Sequence, residues 1–290
     1  MILQETYVLE NGVLIPKVGL GTWYIKDNIE QVICDAVEVG YRHIDTAQAY
    51  GNEEGIGRGI KKCGLPREEI FLQTKLHATK KDYESAKEAI EESLKRLDVD
   101  YIDLMIIHSP QPWEEVNQSE ERYYDGNVLA YKALEDAYKE GKLRAIGVSN
   151  FNNEDMQNIL DHCDIKPMVN QILTHISNTK FDIIQFNQER NILIEGYSPI
   201  AHGEILKNEI IVDMANTYRV SVPQLCIRYV LQLGAVALPK TANKEHMISN
   251  AKLDFEILEK DMEILKNIEP IQDYGESSKF PCFGGTKPTY

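Results

Sequence analysis

Along this chain, short apolar runs alternate with longer segments whose apolar residues recur every three or four positions. The first long segment carries Ile29, Val32, Ile33, Ala36 and Val37. That spacing marks one face of a helix, with Asn28 placed to cap it and Gly40 to end it. The run His43 to Ala47 reads as a strand, and a helix follows Asn52. Phe71 to Leu76 is the next strand, then a helix on Ala86, Ile90, Leu94 and Leu97. Ile102 to His108 is nearly all apolar, the pattern of a strand covered on both faces. A helix on Val128, Tyr131, Leu134 and Tyr138 follows, then the strand Leu143 to Ser149 and a helix from about Asn153. Strands near Met168 to Leu173 and Ile192 to Tyr197 flank a helix around Phe181 to Glu189. Helices over Ile210 to Tyr218 and Pro223 to Leu231, a last strand Ala235 to Leu238 and a helix after Asn243 complete eight strand–helix units, counting a first short strand at Leu20 ahead of the first helix.

Repeated strand–helix units joined by right-handed crossovers close into a barrel at this length. The predicted class is α/β, a (β/α)8 TIM barrel, as a single domain over residues 1–290. The segment Tyr7 to Pro16, around Asn11-Gly12, reads as an N-terminal β-hairpin expected to plug one barrel end. The residues after Pro270, rich in Gly, Pro and Ser, read as a C-terminal loop.

Charge narrows the partners. Asp and Glu number 46 against 31 Lys and Arg, a formal net charge of -15. Such a surface argues against nucleic acid or an anionic membrane, yet leaves room for a local basic pocket. The five cysteines are scattered and show no CxxC spacing, as expected of free thiols in a reducing cytosol. No signal peptide is visible, and no apolar run approaches the ~18 residues of a membrane span. The expected setting is cytoplasmic.

In such a barrel, chemistry sits where strands end at their C-terminal edge. The predicted strands end in Gly21-Thr22-Trp23, Asp45, Lys75, His108, Ser149-Asn150, Gln171, Tyr197-Ser198 and Lys240-Thr241. Asp45 and Lys75 follow apolar residues, so both should be partly buried and paired, because an isolated buried charge costs several kcal/mol. The plain reading is a structural ion pair. Tyr50, five residues beyond Asp45 above the same mouth, suggests more. An ammonium within reach of a phenol favours phenolate and is expected to lower its pKa from ~10. That makes Tyr50 a general acid able to protonate a carbonyl oxygen. His108 is placed either to orient the same oxygen or to serve the fold. An aromatic such as Tyr197 at a barrel mouth offers a stacking face, or simply closes the top. Ser149, Asn150 and Gln171 match the donors and acceptors of an amide.

These residues carry a resemblance to the aldo-keto reductase family, including its bacterial diketogluconate-reductase-like members, over nearly the whole chain. The matching stretches are Gly19-Leu20-Gly21-Thr22-Trp23, His43 through Glu53, Thr74-Lys75, Asp103-Leu104 leading to His108, Gly147 through Phe151, Gln171, Tyr197-Ser198-Pro199 and Pro239-Lys240. The resemblance implies an NADPH-dependent reductase of small aldehydes or ketones, with Asp45, Tyr50, Lys75 and His108 as its catalytic tetrad. It also implies a nicotinamide stacked on Tyr197, with its carboxamide held by Ser149, Asn150 and Gln171. Gly21, Thr22 and Trp23 would adjoin it. Ser198, Pro199, Ile200 and Leu206 belong to a segment expected over the pyrophosphate. Lys240, Thr241, Ala242, His246 and Asn250 would meet the adenosine end. Trp23 and Trp113 are expected to wall the substrate pocket.

Two departures stand out. His246 occupies the place where the family usually has an Arg on the 2′-phosphate, so preference for NADPH over NADH should be weaker, with Lys244 a candidate to assist. Ser109 replaces a bulky aromatic after the tetrad histidine and is expected to open the pocket. The loop Pro110 to Gly126 and the tail after Pro270 are expected to set specificity. The alternatives on the same barrel are a non-catalytic cofactor-binding redox sensor or regulatory subunit and, more distantly, a phosphate-binding isomerase.

Overall fold

The structure, a computed structural model, describes residues 2–288. The chain opens with a hairpin of β1 (Thr6–Val8) and β2 (Leu14–Pro16). Then come β3 (Leu20–Gly21), α1 (Ile29–Val39), β4 (His43–Asp45), α2 (Glu53–Lys62), β5 (Phe71–Leu76) and α3 (Tyr83–Leu97). The middle holds β6 (Leu104–Ile107), α4 (Tyr124–Lys139), β7 (Ile146–Ser149), α5 (Asn153–His162), β8 (Val169–Leu173) and α6 (Phe181–Gln188). The last third holds β9 (Leu193–Tyr197), α7 (Glu209–Tyr218), α8 (Val222–Gln232), β10 (Val236–Leu238), α9 (Lys244–Asn250) and α10 (Glu259–Lys266).

Strands β3 to β10 pair in parallel in chain order, and the bridges Val18↔Ala237 and Gly21↔Lys240 bring the last strand back to the first. This is the expected barrel. β4 to β8 are buried along their whole length, which their apolar runs anticipated. The α1 face of Ile29, Val32, Ile33, Ala36 and Val37 is buried as the spacing requires. Leu9 and Ile15 of the hairpin cluster with Phe71, Leu104, Ile106 and Val236 inside the barrel. The hairpin therefore seals the end opposite the strand mouths.

The differences are local. Strand β4 stops at Asp45 and β6 spans only Leu104–Ile107, because the chain leaves the ladder to form the mouth. Asn28 has a left-handed φ of 57° and makes no side-chain cap. Asn52 does not cap α2 either. Its amide accepts from Thr46 Oγ1 at 2.6 Å and donates to the carbonyls of Thr22 and Ile25, tying two mouth loops together. Helix α10, not anticipated from the pattern, buries only Met262 and Leu265 from an otherwise charged surface.

Candidate active site

The strand ends converge on a cavity of about 380 Å³ at the C-terminal mouth. β4 delivers Asp45 and β5 delivers Lys75, neighbours in the sheet. Lys75 is 1% exposed and Asp45 4%. Lys75 Nζ donates to Asp45 Oδ1 at 2.6 Å, to Asp45 Oδ2 at 2.8 Å, and to the Thr46 carbonyl at 3.0 Å. It also reaches the Tyr50 hydroxyl at 3.4 Å. Burial opposes the Lys75 charge, but Asp45, followed by Tyr50, outweighs it and raises the ammonium above its ordinary value.

The phenol departs from the sequence expectation. Burial pushes Tyr50 up to about 12, against the downward pull of Lys75 and with the Asp45 carboxylate adding to the rise. The expectation counted one ammonium and left out desolvation and the anion behind it. Tyr50 is thus held as a neutral phenol. His108, at the end of β6, is pushed well below its usual value by burial and by Lys75, so its imidazole is neutral. Its ring lies 5.7 Å from the Tyr50 ring and 5.2 Å from that of Trp113, edge to face. Among the described residues the His108 Nδ1 has no hydrogen-bond partner. Tyr50, His108 and Asp45 line the cavity, with Lys75 just beneath it.

The wall holds Gly21, Thr22, Trp23, Ser149, Asn150, Gln171, Tyr197, Ser198, Pro199, Ile200 and Lys240. The three candidate amide partners are largely committed to one another. Ser149 Oγ donates to the Gln171 carbonyl at 2.8 Å. Asn150 Nδ2 donates to the His108 carbonyl and to Ser149 Oγ, both at 3.0 Å. The Tyr197 hydroxyl reaches across to Asn150 Oδ1 at 2.8 Å. Gln171 Nε2 is turned down into the barrel, so its carbonyl oxygen is the end left for a ligand. At the far end Lys240 is exposed as a residue, its ammonium is lowered by partial burial, and it has no ion-pair partner among the described residues. That is a charge waiting for an anion.

Five of the expected cofactor residues, Leu206, Thr241, Ala242, His246 and Asn250, lie outside this lining. Leu206 is 40% exposed, and Ala242 and His246 are exposed on the shelf beyond Lys240. Lys244 offers no help, because Glu38 at 2.7 Å and Asp35 at 3.6 Å hold it against α1. Ser109 is buried and does not line the cavity. Its carbonyl accepts from Lys81 Nζ at 2.8 Å, so the pocket is not opened by that side chain directly. Trp113 and Trp23 both line the cavity.

The sequence reading missed Tyr24, His202, Phe280 and Cys282, which also line it. Phe280 packs edge-on to Trp23 at 5.3 Å, and His202 Nδ1 lies 3.2 Å from Ser277 Oγ of the tail. Burial pushes the Cys282 thiol up to about 12, so it is a neutral wall group. The two phenylalanines Phe280 and Phe283, within a tail of small residues, were the available signal.

Residues 17–270 match the model of the Aldo/keto reductase family. The chain belongs to that family. The "Glyoxal reductase" of Bacillus subtilis (strain 168) is 39% identical over 264 residues, covering 90% of this chain and 91% of the relative. Among solved structures, the aldo-keto reductase MGS-M4 from a Medee basin deep-sea metagenome library superposes with a TM-score of 0.85 at 38% identity, covering 91% of this chain and 95% of the other. The Bombyx mori aldo-keto reductase, solved in complex with NADP, gives 0.84 at 30% identity, covering 98% and 99%. As a member of this family, the protein is an oxidoreductase.

Proposed function

We propose that this aldo-keto reductase reduces a small aldehyde or ketone to the alcohol, with NADPH as cofactor and Tyr50 as proton donor. One observation carries the reading. Lys75 Nζ is chelated by both Asp45 oxygens while lying 3.4 Å from the Tyr50 hydroxyl, in the cavity wall beside His108. The relative named for glyoxal reduction and the NADP complex of a structural neighbour support the substrate class and the cofactor.

NADPH supplies the hydride when bound. The residues present fit it: an unpaired Lys240 for phosphate, Tyr197 as an aromatic face, and a Gln171 carbonyl oxygen turned to the cavity. His108, neutral and with its Nδ1 unpartnered among the described residues, would hold the carbonyl oxygen next to Tyr50. Tyr50 would pass its proton to that oxygen as negative charge grows there. Lys75 then stabilises the phenolate left behind, and Asp45 keeps Lys75 charged and fixed in place. The apolar wall excludes water from the exchange.

A panel of aldehydes and ketones, followed by loss of reduced-nicotinamide absorbance with NADPH and with NADH, tests the activity. Tyr50→Phe is expected to lower kcat by about 10³-fold while the NADPH Kd, read by nicotinamide fluorescence, stays within about twofold. A wild-type rate in that variant rejects the role.

A further inference from the structure

Beneath the mouth, the barrel interior holds charge where aliphatic side chains usually fill the space. Glu195, on β9, is 0% exposed. Its Oε2 accepts from Gln73 Nε2 at 2.7 Å and from Gln171 Nε2 at 2.9 Å. Gln171 Nε2 also donates to Asp45 Oδ1 at 3.2 Å. One amide nitrogen, with its two hydrogens, therefore bridges two carboxylates. On the other side Gln73 Oε1 lies 2.7 Å from His43 Nε2. Gln73 has spent its nitrogen on Glu195, so its oxygen accepts and His43 Nε2 carries a proton. That nitrogen stands 3.8 Å from Glu195 Oε1.

The polar groups turned towards Glu195 in this network are thus donors. Its Oε1 has no hydrogen-bond partner among the described residues. Burial raises the Glu195 carboxyl above its ordinary value, while the amide hydrogen bonds from Gln171 and Gln73 lower it. A protonated Oε1 would point its hydrogen at no acceptor, so the hydrogen-bond geometry fits the carboxylate. A buried anion is costly, and an apolar side chain would fill the barrel without that cost. Such a local conflict is expected at functional positions. The strands flanking β9 bring no charge to it: β8 presents Gln171 and β10 presents Val236 in register. The ionisable groups of the cluster are Asp45 and His43 from β4 and Lys75 from β5. Lys75 is paired with Asp45, and Glu195 favours its charge only at longer range.

We infer that Glu195 is a positioning residue for the proton-donating site: through Gln171 it fixes the Asp45 carboxylate beneath Lys75, and as a second buried anion it disfavours the Tyr50 phenolate. The inference rests on the reading of Tyr50 as proton donor. The groups facing Tyr50 itself are Lys75, Asp45, His108, Tyr197 and the tail thiol of Cys282, and the substitution at Glu195 leaves the identity of each intact.

The test is Glu195→Gln, which keeps the shape and removes the charge. In NADPH-saturated enzyme the alkaline limb of the reduction rate should move down by about one pH unit, because phenolate forms more readily once an anion is gone. The NADPH Kd should stay within about twofold. The same downward shift should appear without cofactor, in the ultraviolet absorbance of phenolate taken as a difference against the matching Tyr50→Phe protein. A limb and a phenolate midpoint that both stay at the wild-type pH would overturn the inference, whatever happens to rate or melting temperature. If circular dichroism shows Glu195→Gln unfolded, Gln73→Leu replaces it. That change removes one of two donors, weakens the anion and should move the limb the same way by less, and an unmoved limb again overturns the inference. A Tyr50→Phe protein with wild-type reduction rejects the proton-donor reading itself, so the two failures are told apart.

Discussion

At the scale of single residues, the site depends on how burial competes with charge. Lys75 stabilises a phenolate, yet burial and Asp45 hold Tyr50 up at about 12. The Tyr50 phenol is therefore protonated throughout the neutral range, as the proposed role requires. Reduction should show no alkaline decline until pH passes about 10, the ordinary tyrosine value, while alcohol oxidation, which needs phenolate, should rise with pH across the same interval. Profiles of kcat/KM in both directions check this, and a reductive decline centred near neutrality would contradict it. Lys75→Met leaves Asp45 buried without its cation, and should cost about 3–5 kcal/mol of stability in urea titration as well as activity. At the adenosine end His246 is exposed and Lys244 is tied to α1, so the shelf beyond Lys240 carries little fixed positive charge. His246→Arg should tighten NADPH by about tenfold through a charge-assisted contact and leave NADH unchanged. Equal effects on the two cofactors in fluorescence titrations would remove the basis for that placement. The identities of Asp45, Tyr50, Lys75 and His108 were legible because polar residues at the ends of apolar strands are conspicuous. The direction of the Tyr50 shift was not, since desolvation depends on neighbours brought from other strands and from the tail.

At the scale of elements, helix contacts set the distances between strands. Gly57 lies where α2 meets the end of α3, and a Cβ built there would stand 2.2 Å from the Leu97 carbonyl oxygen. The obstacle is backbone, so the helices must separate. Gly57→Ala should destabilise by about 3 kcal/mol in urea unfolding. A change within 0.5 kcal/mol would mean that the α2–α3 contact is looser than described. The tail is the element that shapes the pocket. Phe280 packs on Trp23 and lines the same cavity as Trp113. Phe280→Ala should raise KM for aryl aldehydes by about tenfold, the worth of one lost aromatic contact, with little change for the smallest aldehydes. Periodicity anticipated α1 and the barrel helices, whose apolar stripes are broad. It passed over α10, whose contribution to the core is two side chains on a charged surface. The tail gave a composition typical of loops, and only its folded path brings Phe280 and Cys282 to the mouth.

At the scale of the whole molecule, strands β3 to β10 are closed into one ring around a plug made by the hairpin. A ligand that spans the mouth should therefore stabilise the entire fold. At about 100 times its Kd, NADPH should add about 2.7 kcal/mol and raise the melting temperature by several degrees, and Lys240→Met should remove most of that gain. An unchanged melting temperature would argue against the mouth as the binding place. The sequence by itself determined the barrel, the hairpin plug and the polar residues at the strand ends, because alternation, strand length and turn chemistry act along the chain. It also determined that Asp45 and Lys75 end neighbouring strands, with Tyr50 in the loop above them. Only the tertiary structure decided that Asn150 is engaged by Tyr197, that Lys244 turns to Glu38, and that Glu195 shares Gln171 with Asp45. Those pairings join residues far apart in sequence across the barrel interior. Hydrogen-bond direction and desolvation there depend on three-dimensional neighbours, which no local pattern encodes.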